Sequence, residues 1–318
     1  MESENQESQA QLKKPREVDF RARKFPVDNF VECLNVDGVS KLHTYRWPVD
    51  GTSAEKPPKA VIIMFHGFGS YVGKYTHMAH IFVERGYEVC GLDCMGFGNS
   101  EGIRGFIKDQ GEFQRDGFNF VVKAKNFYNE LYGGKKVPMI GWGYSQGGKL
   151  VLGIQELLQN ELQDSFEGMI LNTPNLKVDT SHLDEDFMKM LSEISDPLQT
   201  IPWPFKPLKD SDFLLGYVKD ELQFLGPHYG KTYYENIEIQ QHIKDNYKNI
   251  TVPVQLVMAK GDSVLINDDM VQMMESLSTP EDKKEIKVYE GDHYIMVDGW
   301  LYEEIITNQI NFLDRVLQ

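Results

Sequence analysis

The strongest chemical signal in the chain is Gly143-Tyr144-Ser145-Gln146-Gly147, a serine with a glycine two residues away on either side. The pattern alone carries little weight, because ordinary glycine and serine frequencies produce it in roughly one chain in ten of this length. Its setting carries more. The run Val137 to Trp142 reads as a strand, and Gly147 onward reads as the start of a helix. Ser145 therefore falls on the sharp strand-to-helix turn that exposes a nucleophile, with the glycines permitting the tight backbone. The helix N-terminus adds a positive dipole near the serine oxygen. This is the equipment of covalent acyl transfer.

A serine hydroxyl is a poor nucleophile at neutral pH and needs a base, which needs an orienting carboxylate. On sheets that carry such an elbow the partners follow in the order serine, acid, histidine. Four of the eight histidines follow Ser145: His182, His228, His242 and His293. The first two fall in a proline-rich insertion and His242 in a charged helical stretch. His293, in the loop Gly291-Asp292-His293-Tyr294 after a predicted strand, is the expected base. Asp262, in the turn Lys260-Gly261-Asp262 after the run Val254 to Ala259, is the expected acid, since catalytic groups of open sheets gather at the carboxyl ends of strands. Asp268 and Asp269 compete, but they open the next helix and read as capping or dipole-complementing residues. Asp292 is an alternative acid, disfavoured because adjacent side chains rarely face each other.

Acyl transfer also needs donors aimed at the developing oxyanion. The elbow supplies the Gln146 N–H, and the loop His66-Gly67-Phe68-Gly69 is expected to supply the Phe68 N–H. His66 precedes Ser145 at a strand end and reads as a loop-fixing residue. A second glycine cluster, Asp93 to Gly102, contains Gly96-Phe97-Gly98 but lacks a third glycine at the right distance and any Gly-Lys-Ser/Thr, so it reads as a demanding loop rather than a phosphate cradle.

Positioning these residues requires alternating strands and helices. Short apolar runs bounded by glycine predict strands at Phe30 to Asn35, Leu42 to Trp47, Ala60 to Phe65, Glu88 to Leu92, Val137 to Trp142, Gly168 to Asn172, Val254 to Ala259 and Glu285 to Tyr289. Amphipathic stretches predict helices at Tyr75 to Arg85, Gly111 to Leu131, Gly147 to Gln159, Asp268 to Ser276 and Tyr302 to Leu317. This alternation is the mark of an α/β chain with a mostly parallel sheet covered by helices on both faces. Between 174 and 231 it breaks: Pro197, Pro202, Pro204, Pro207 and Pro227 alternate with Trp203, Phe205, Phe213, Tyr217, Phe224 and Tyr229. Such a stretch forms short helices and loops, and a lid is an accepted reason for its length. The expected organisation is a disordered polar tail at 1–20, a core at 21–173 and 232–318, and a cap inserted at 174–231.

Composition narrows the class. The 318 residues carry 33 Lys and Arg against 48 Asp and Glu, a formal charge of −15, which disfavours nucleic acid and anionic membrane as partners. No apolar run approaches the roughly 20 residues that span a bilayer, and no secretory h-region opens the chain. Cys33, Cys90 and Cys94 are too few for a zinc site or a disulfide framework and read as buried thiols of a cytoplasmic protein. No cofactor or metal is expected.

With these residues in place the chain resembles the α/β-hydrolase family, in its monoacylglycerol lipase and lysophospholipase-like branch (serine aminopeptidase S33, or hydrolase 4, type). The resemblance runs from about Asp37 to Leu317. It is carried by Phe65-His66-Gly67-Phe68-Gly69 with Gly73-Lys74-Tyr75, by Leu92 to Gly102, by Gly143 to Gly148, by Thr251-Val252-Pro253 with Gly261-Asp262, and by Tyr289-Glu290-Gly291 before His293. It implies Ser145 as nucleophile, Asp262 as acid, His293 as base, Phe68 and Gln146 as oxyanion donors, and a cap that accepts an acyl chain and touches membrane transiently. Three features depart from the branch: Tyr144 where histidine is usual, Ser70-Tyr71 in place of a Glu-His pair, and His293 one residue early. The expected function is hydrolysis of monoacylglycerol or a similar single-chain lipid ester. A lysophospholipase, carboxylesterase or thioesterase would use the same groups, and a hydrolase-fold binding module without turnover is the reading from a different class.

Overall fold

The apolar runs of the sequence become the centre of one eight-stranded sheet in the computed structural model, which describes residues 25–177, 185–201, 220–296 and 301–317. The expected tail at 1–20, His182, and Pro202 to Tyr217 of the expected cap lie outside the described residues. The sheet strands are β1 (Val27–Asp28), β2 (Thr44–Trp47), β3 (Val61–Phe65), β4 (Glu88–Leu92), β5 (Met139–Tyr144), β6 (Gly168–Asn172), β7 (Val254–Ala259) and β8 (Lys284–Tyr289). Their order is β1-β2-β4-β3-β5-β6-β7-β8. The β1–β2 and β2–β4 joints are antiparallel and every other joint is parallel.

Every residue of β3 through β7 is buried, as parallel strands linked by crossover helices must be. Seven α-helices occur among the described residues: α1 (Thr76–Glu84), α2 (Gln110–Leu131), α3 (Gln146–Leu162), α4 (Glu185–Ser192), α5 (Gly230–Asn246), α6 (Asn267–Ser276) and α7 (Leu301–Val316). Strand alternation divides the core in two. Val61, Ile63 and Phe65 of β3 pack with α2, α3 and α6 through Phe120, Leu150 and Met270. Ile62 and Met64 face the other way and pack with α1 and α7 through Phe82 and Ile306.

Two sequence expectations change at the sheet's first edge. The strand predicted at Phe30 to Asn35 reduces to Cys33–Leu34, paired with Lys41–Leu42 in a separate hairpin. The edge position goes instead to β1, whose two side chains are exposed and so left no apolar alternation to read. Of the segment expected as a cap, the described residues contain α4 and a two-stranded antiparallel sheet of Thr200–Ile201 with His228–Tyr229. Residues 220–224 lie on the loops after β3 and β4. The Phe224 N–H donates to the Gly69 carbonyl at 2.7 Å, Tyr71 Oη donates to Asp220 Oδ2 at 3.0 Å, and Arg104 donates to the Leu222 carbonyl at 2.6 Å. No helix among the described residues is long and apolar enough to cross a membrane. The three cysteines are free and buried.

Candidate active site

Ser145 sits between β5 and α3 with φ 52° and ψ −114°, a conformation a non-glycine residue holds only when its surroundings impose it. The neighbouring glycines explain how. A Cβ on Gly147 would stand 2.1 Å from the Phe65 carbonyl oxygen, and one on Gly143 would stand 2.3 Å from the Gly147 carbonyl oxygen. Backbone packs on backbone, so α3 starts directly against the end of β3. The turn is pinned from behind: the Ser145 N–H donates to the Asn172 carbonyl at 2.8 Å, and Asn172 Nδ2 donates to the Gly143 carbonyl at 3.1 Å. Asn172 Oδ1 in turn accepts from Gln309 Nε2 at 2.6 Å, and Gln309 Oε1 accepts from Trp142 Nε1 at 2.8 Å.

Loops 117 and 148 residues further along the chain deliver the partners. His293 Nε2 lies 2.9 Å from Ser145 Oγ, and His293 Nδ1 lies 2.8 Å from Asp262 Oδ2. Both side chains are withdrawn from solvent. The other oxygen of Asp262 accepts from the N–H groups of Val264 and Leu265 at 2.9 and 2.8 Å, which fixes the carboxylate in its turn after β7. A carboxylate only accepts, so the ring proton sits on Nδ1 and the Nε2 lone pair faces the serine hydroxyl. The one-residue shift of His293 leaves the imidazole in hydrogen-bond contact with Ser145.

The competing acids have other partners. Asp292 Oδ1 accepts from the N–H and hydroxyl of Ser263, both at 2.8 Å, and from the N–H of His293 at 2.6 Å. Burial works against its charge, but these hydrogen bonds hold its carboxyl below the usual value. Asp268 and Asp269 lie in the first turn of α6, where they complement the helix dipole. The N-cap position itself belongs to Ile266.

Residues 56–298 match the family model described as serine aminopeptidase, S33, of hydrolase 4 type. The chain belongs to that family of α/β-hydrolases. Monoglyceride lipase of Rattus norvegicus is similar to this hydrolase, with 25% identity over 296 residues that cover 90% of this chain and 88% of the relative. Caffeoylshikimate esterase of Arabidopsis thaliana is 24% identical over 272 residues, covering 81% and 76%. A solved soluble variant of monoglyceride lipase from Saccharomyces cerevisiae, in complex with a substrate analog, shares the fold at a TM-score of 0.75, with 18% identity, 93% of this chain and 97% of that chain covered.

The N–H groups of Phe68 and Gln146 belong to the loop and the helix start beside the serine of this hydrolase. Among the described residues neither the Phe68 nor the Gln146 N–H bonds a backbone carbonyl. Gln146 is the first residue of α3, whose leading N–H groups have no partner within the helix. The loop carrying Phe68 abuts the serine, since a Cβ on Gly67 would stand 3.4 Å from Ser145 Cβ. His66 is buried, with Nδ1 2.8 Å from the Gly67 carbonyl oxygen and Nε2 accepting from the Cys94 N–H at 3.0 Å. Burial pushes its pKa down and keeps it neutral, a tie between the loops after β3 and β4. In the glycine cluster of the hydrolase, Gly98 holds φ 53° with no room for a Cβ beside Asp93. Asp93 accepts from Tyr45 Oη, the Val72 N–H and the Asn99 N–H at 2.8, 2.7 and 2.9 Å. No group of three or more His, Cys, Asp or Glu among the described residues is placed to hold a metal.

Sequence reasoning missed a buried polar network behind the elbow. Gln146 Nε2 donates to Gln110 Oε1 and Gln146 Oε1 accepts from Asn175 Nδ2, both at 3.3 Å. Gln110 Nε2 and Lys149 Nζ both donate to Asn236 Oδ1 of α5, at 3.2 and 2.6 Å. Burial pushes the Lys149 pKa down to about 7. The only sequence signal for this network was polar residues at buried helical positions, which periodicity does not separate from surface ones. Tyr144 was also missed as a contact residue. Its hydroxyl donates to the His293 carbonyl at 3.0 Å.

Proposed function

We propose that this hydrolase cleaves monoacylglycerol or a similar single-chain lipid ester through an acyl-enzyme on Ser145. The carrying observation is the hydrogen-bonded chain from Ser145 Oγ through His293 to Asp262, at 2.9 and 2.8 Å. Ser145 Oγ attacks the acyl carbonyl carbon while its proton passes to His293 Nε2. Asp262 holds the ring and stabilises the imidazolium. The carbonyl oxygen, now negative, takes hydrogen bonds from the N–H groups of Phe68 and Gln146, each contributing about 2.7 to 4 kcal/mol. The tetrahedral intermediate collapses, the C–O bond to the alcohol breaks, and His293 returns the proton to the leaving oxygen. Water then attacks the acyl-enzyme by the same route, with His293 again taking the proton, and Ser145 is regenerated.

The lipid class draws support from the similar monoglyceride lipases and from the segment at 174–231. As a cap over the core at 21–173 and 232–318, that segment would shelter the acyl chain and meet lipid locally. Free buried thiols agree with a reducing, cytoplasmic setting. A panel of monoacylglycerols, diacylglycerols, lysophospholipids and short p-nitrophenyl esters tests the reading. Turnover should be highest on single-chain glycerol esters and should vanish in His293→Ala. Equal turnover in the wild type and that variant would overturn it.

A further inference from the structure

Asp262 fixes one nitrogen of His293, but a base on a loop also needs its backbone and ring plane held. Tyr144 reaches both. Its hydroxyl donates to the His293 carbonyl at 3.0 Å, and its ring lies against the imidazole in an offset stack, centroids 5.7 Å apart and planes 23° apart. The phenol is buried, at 3% exposure. The ring also meets Tyr75 in a T-shaped contact at 6.2 Å, and a Cβ on Gly67 would stand only 3.2 Å from Tyr144 Cδ1. The ring is wedged between the loop that carries Phe68 and the loop that carries His293.

Tyr144 is also the last residue of β5, directly before Ser145. Two neighbouring residues on one strand end therefore grip the same histidine, Ser145 at ring Nε2 and Tyr144 at the backbone oxygen and ring face. Strand β5 is fully buried and paired on both sides, which makes that grip rigid.

We propose that Tyr144 is a positioning residue for His293, coupling the base loop to the strand that presents the nucleophile. The inference rests on the reading of His293 as general base. The hydroxyl sets the height of the loop, and the ring sets the plane of the imidazole. Phenylalanine keeps the stack and removes the hydrogen bond, whereas leucine removes both.

The full-length wild type, Tyr144→Phe and Tyr144→Leu are compared by steady-state turnover of a p-nitrophenyl ester, by the rate of inactivation with a fluorophosphonate, and by thermal melting. In parallel, proton NMR follows the low-field Nδ1 proton of His293, assigned by its loss in Asp262→Asn. Tyr144→Phe is expected to lower kcat and the inactivation rate by about tenfold, with KM within about twofold, as one lost hydrogen bond allows. Tyr144→Leu should lose more, and the low-field signal should broaden in both. Unchanged kcat and an unchanged signal with only a lower melting temperature would overturn the proposal, leaving Tyr144 a packing residue. A loss confined to KM would also overturn it. If Tyr144→Leu does not fold, Tyr144→Phe decides. The signal separates positioning from hydrolysis: broadening in a protein without turnover would sustain the positioning role and remove the hydrolytic one.

Discussion

Asp292 turns its carboxylate to Ser263, accepting from both its N–H and its hydroxyl at 2.8 Å, although His293 is its neighbour in the chain. The imidazole instead meets Asp262, 31 residues earlier. The two carboxylates therefore differ in role. Asp262→Asn is expected to lower kcat by about 10⁴-fold, the order found when an orienting aspartate becomes an amide. Asp292→Asn should stay within about tenfold of the wild type, since its only contact with His293 is the backbone N–H. Steady-state kinetics of the two variants checks this. The reverse ranking would move the acid to Asp292.

Asp292 also makes a pH prediction. Its folded pKa is depressed, so its contribution to stability is present at neutral pH and lost as pH falls below about 4, where the unfolded carboxyl is already taking up its proton. Urea midpoints of the wild type and Asp292→Asn should differ by a constant amount from pH 7 to 5 and converge in more acidic solution.

Lys149 should give the opposite kind of slope. Burial lowers its folded pKa from 10.5 to about 7, so between those values the unfolded chain holds a proton that the folded chain has shed. Wild-type stability then rises with pH across that window and this contribution is flat beneath it. Lys149→Met removes the slope and gains most over the wild type at pH 6. Denaturant midpoints of both proteins at pH 6, 8 and 9.5 test this. Parallel profiles would show that burial does not lower the Lys149 pKa.

Gly147 and Gly69 should tolerate no side chain. An alanine Cβ at Gly147 meets the Phe65 carbonyl oxygen at 2.1 Å. At Gly69, where φ is 77°, it meets the Phe224 carbonyl oxygen at 2.7 Å. Neither backbone oxygen can move aside, so each Gly→Ala change should cost about 3 kcal/mol or more. Gly134→Ala, at φ 80° but in open space, should cost only about 1 kcal/mol. Thermal melting of the three variants checks the ranking.

How much of this was legible beforehand depends on how local the cause was. Strands β4, β6 and β7 match their apolar runs to the residue, because burial on both faces writes itself into every position. Strand β1 left no such trace, being two exposed residues at an edge. Helix α5 appeared only as a charged stretch around His242, since its buried Thr232 and Asn236 are polar and serve hydrogen bonds rather than an apolar stripe. At the site, Ser145 announced itself through the glycines that its backbone needs. The expectation of Asp262 rather than Asp292 beside His293 comes from its place after a strand and from the rule that adjacent side chains rarely face each other, whereas the contact at 2.8 Å depends on how two loops fold back. The contact from Tyr144 to a carbonyl 149 residues away is purely tertiary, so in the sequence it shows only as an unexpected residue beside Ser145.

An activated nucleophile at Ser145 should be open to direct chemical modification. The wild type and Ser145→Ala are treated with a fluorophosphonate at neutral pH, and the adduct is located by mass spectrometry of the digested protein. One adduct is expected, on Ser145, in the wild type and none in the variant. A folded wild type that stays unlabelled, or labelling that persists in Ser145→Ala, would contradict it.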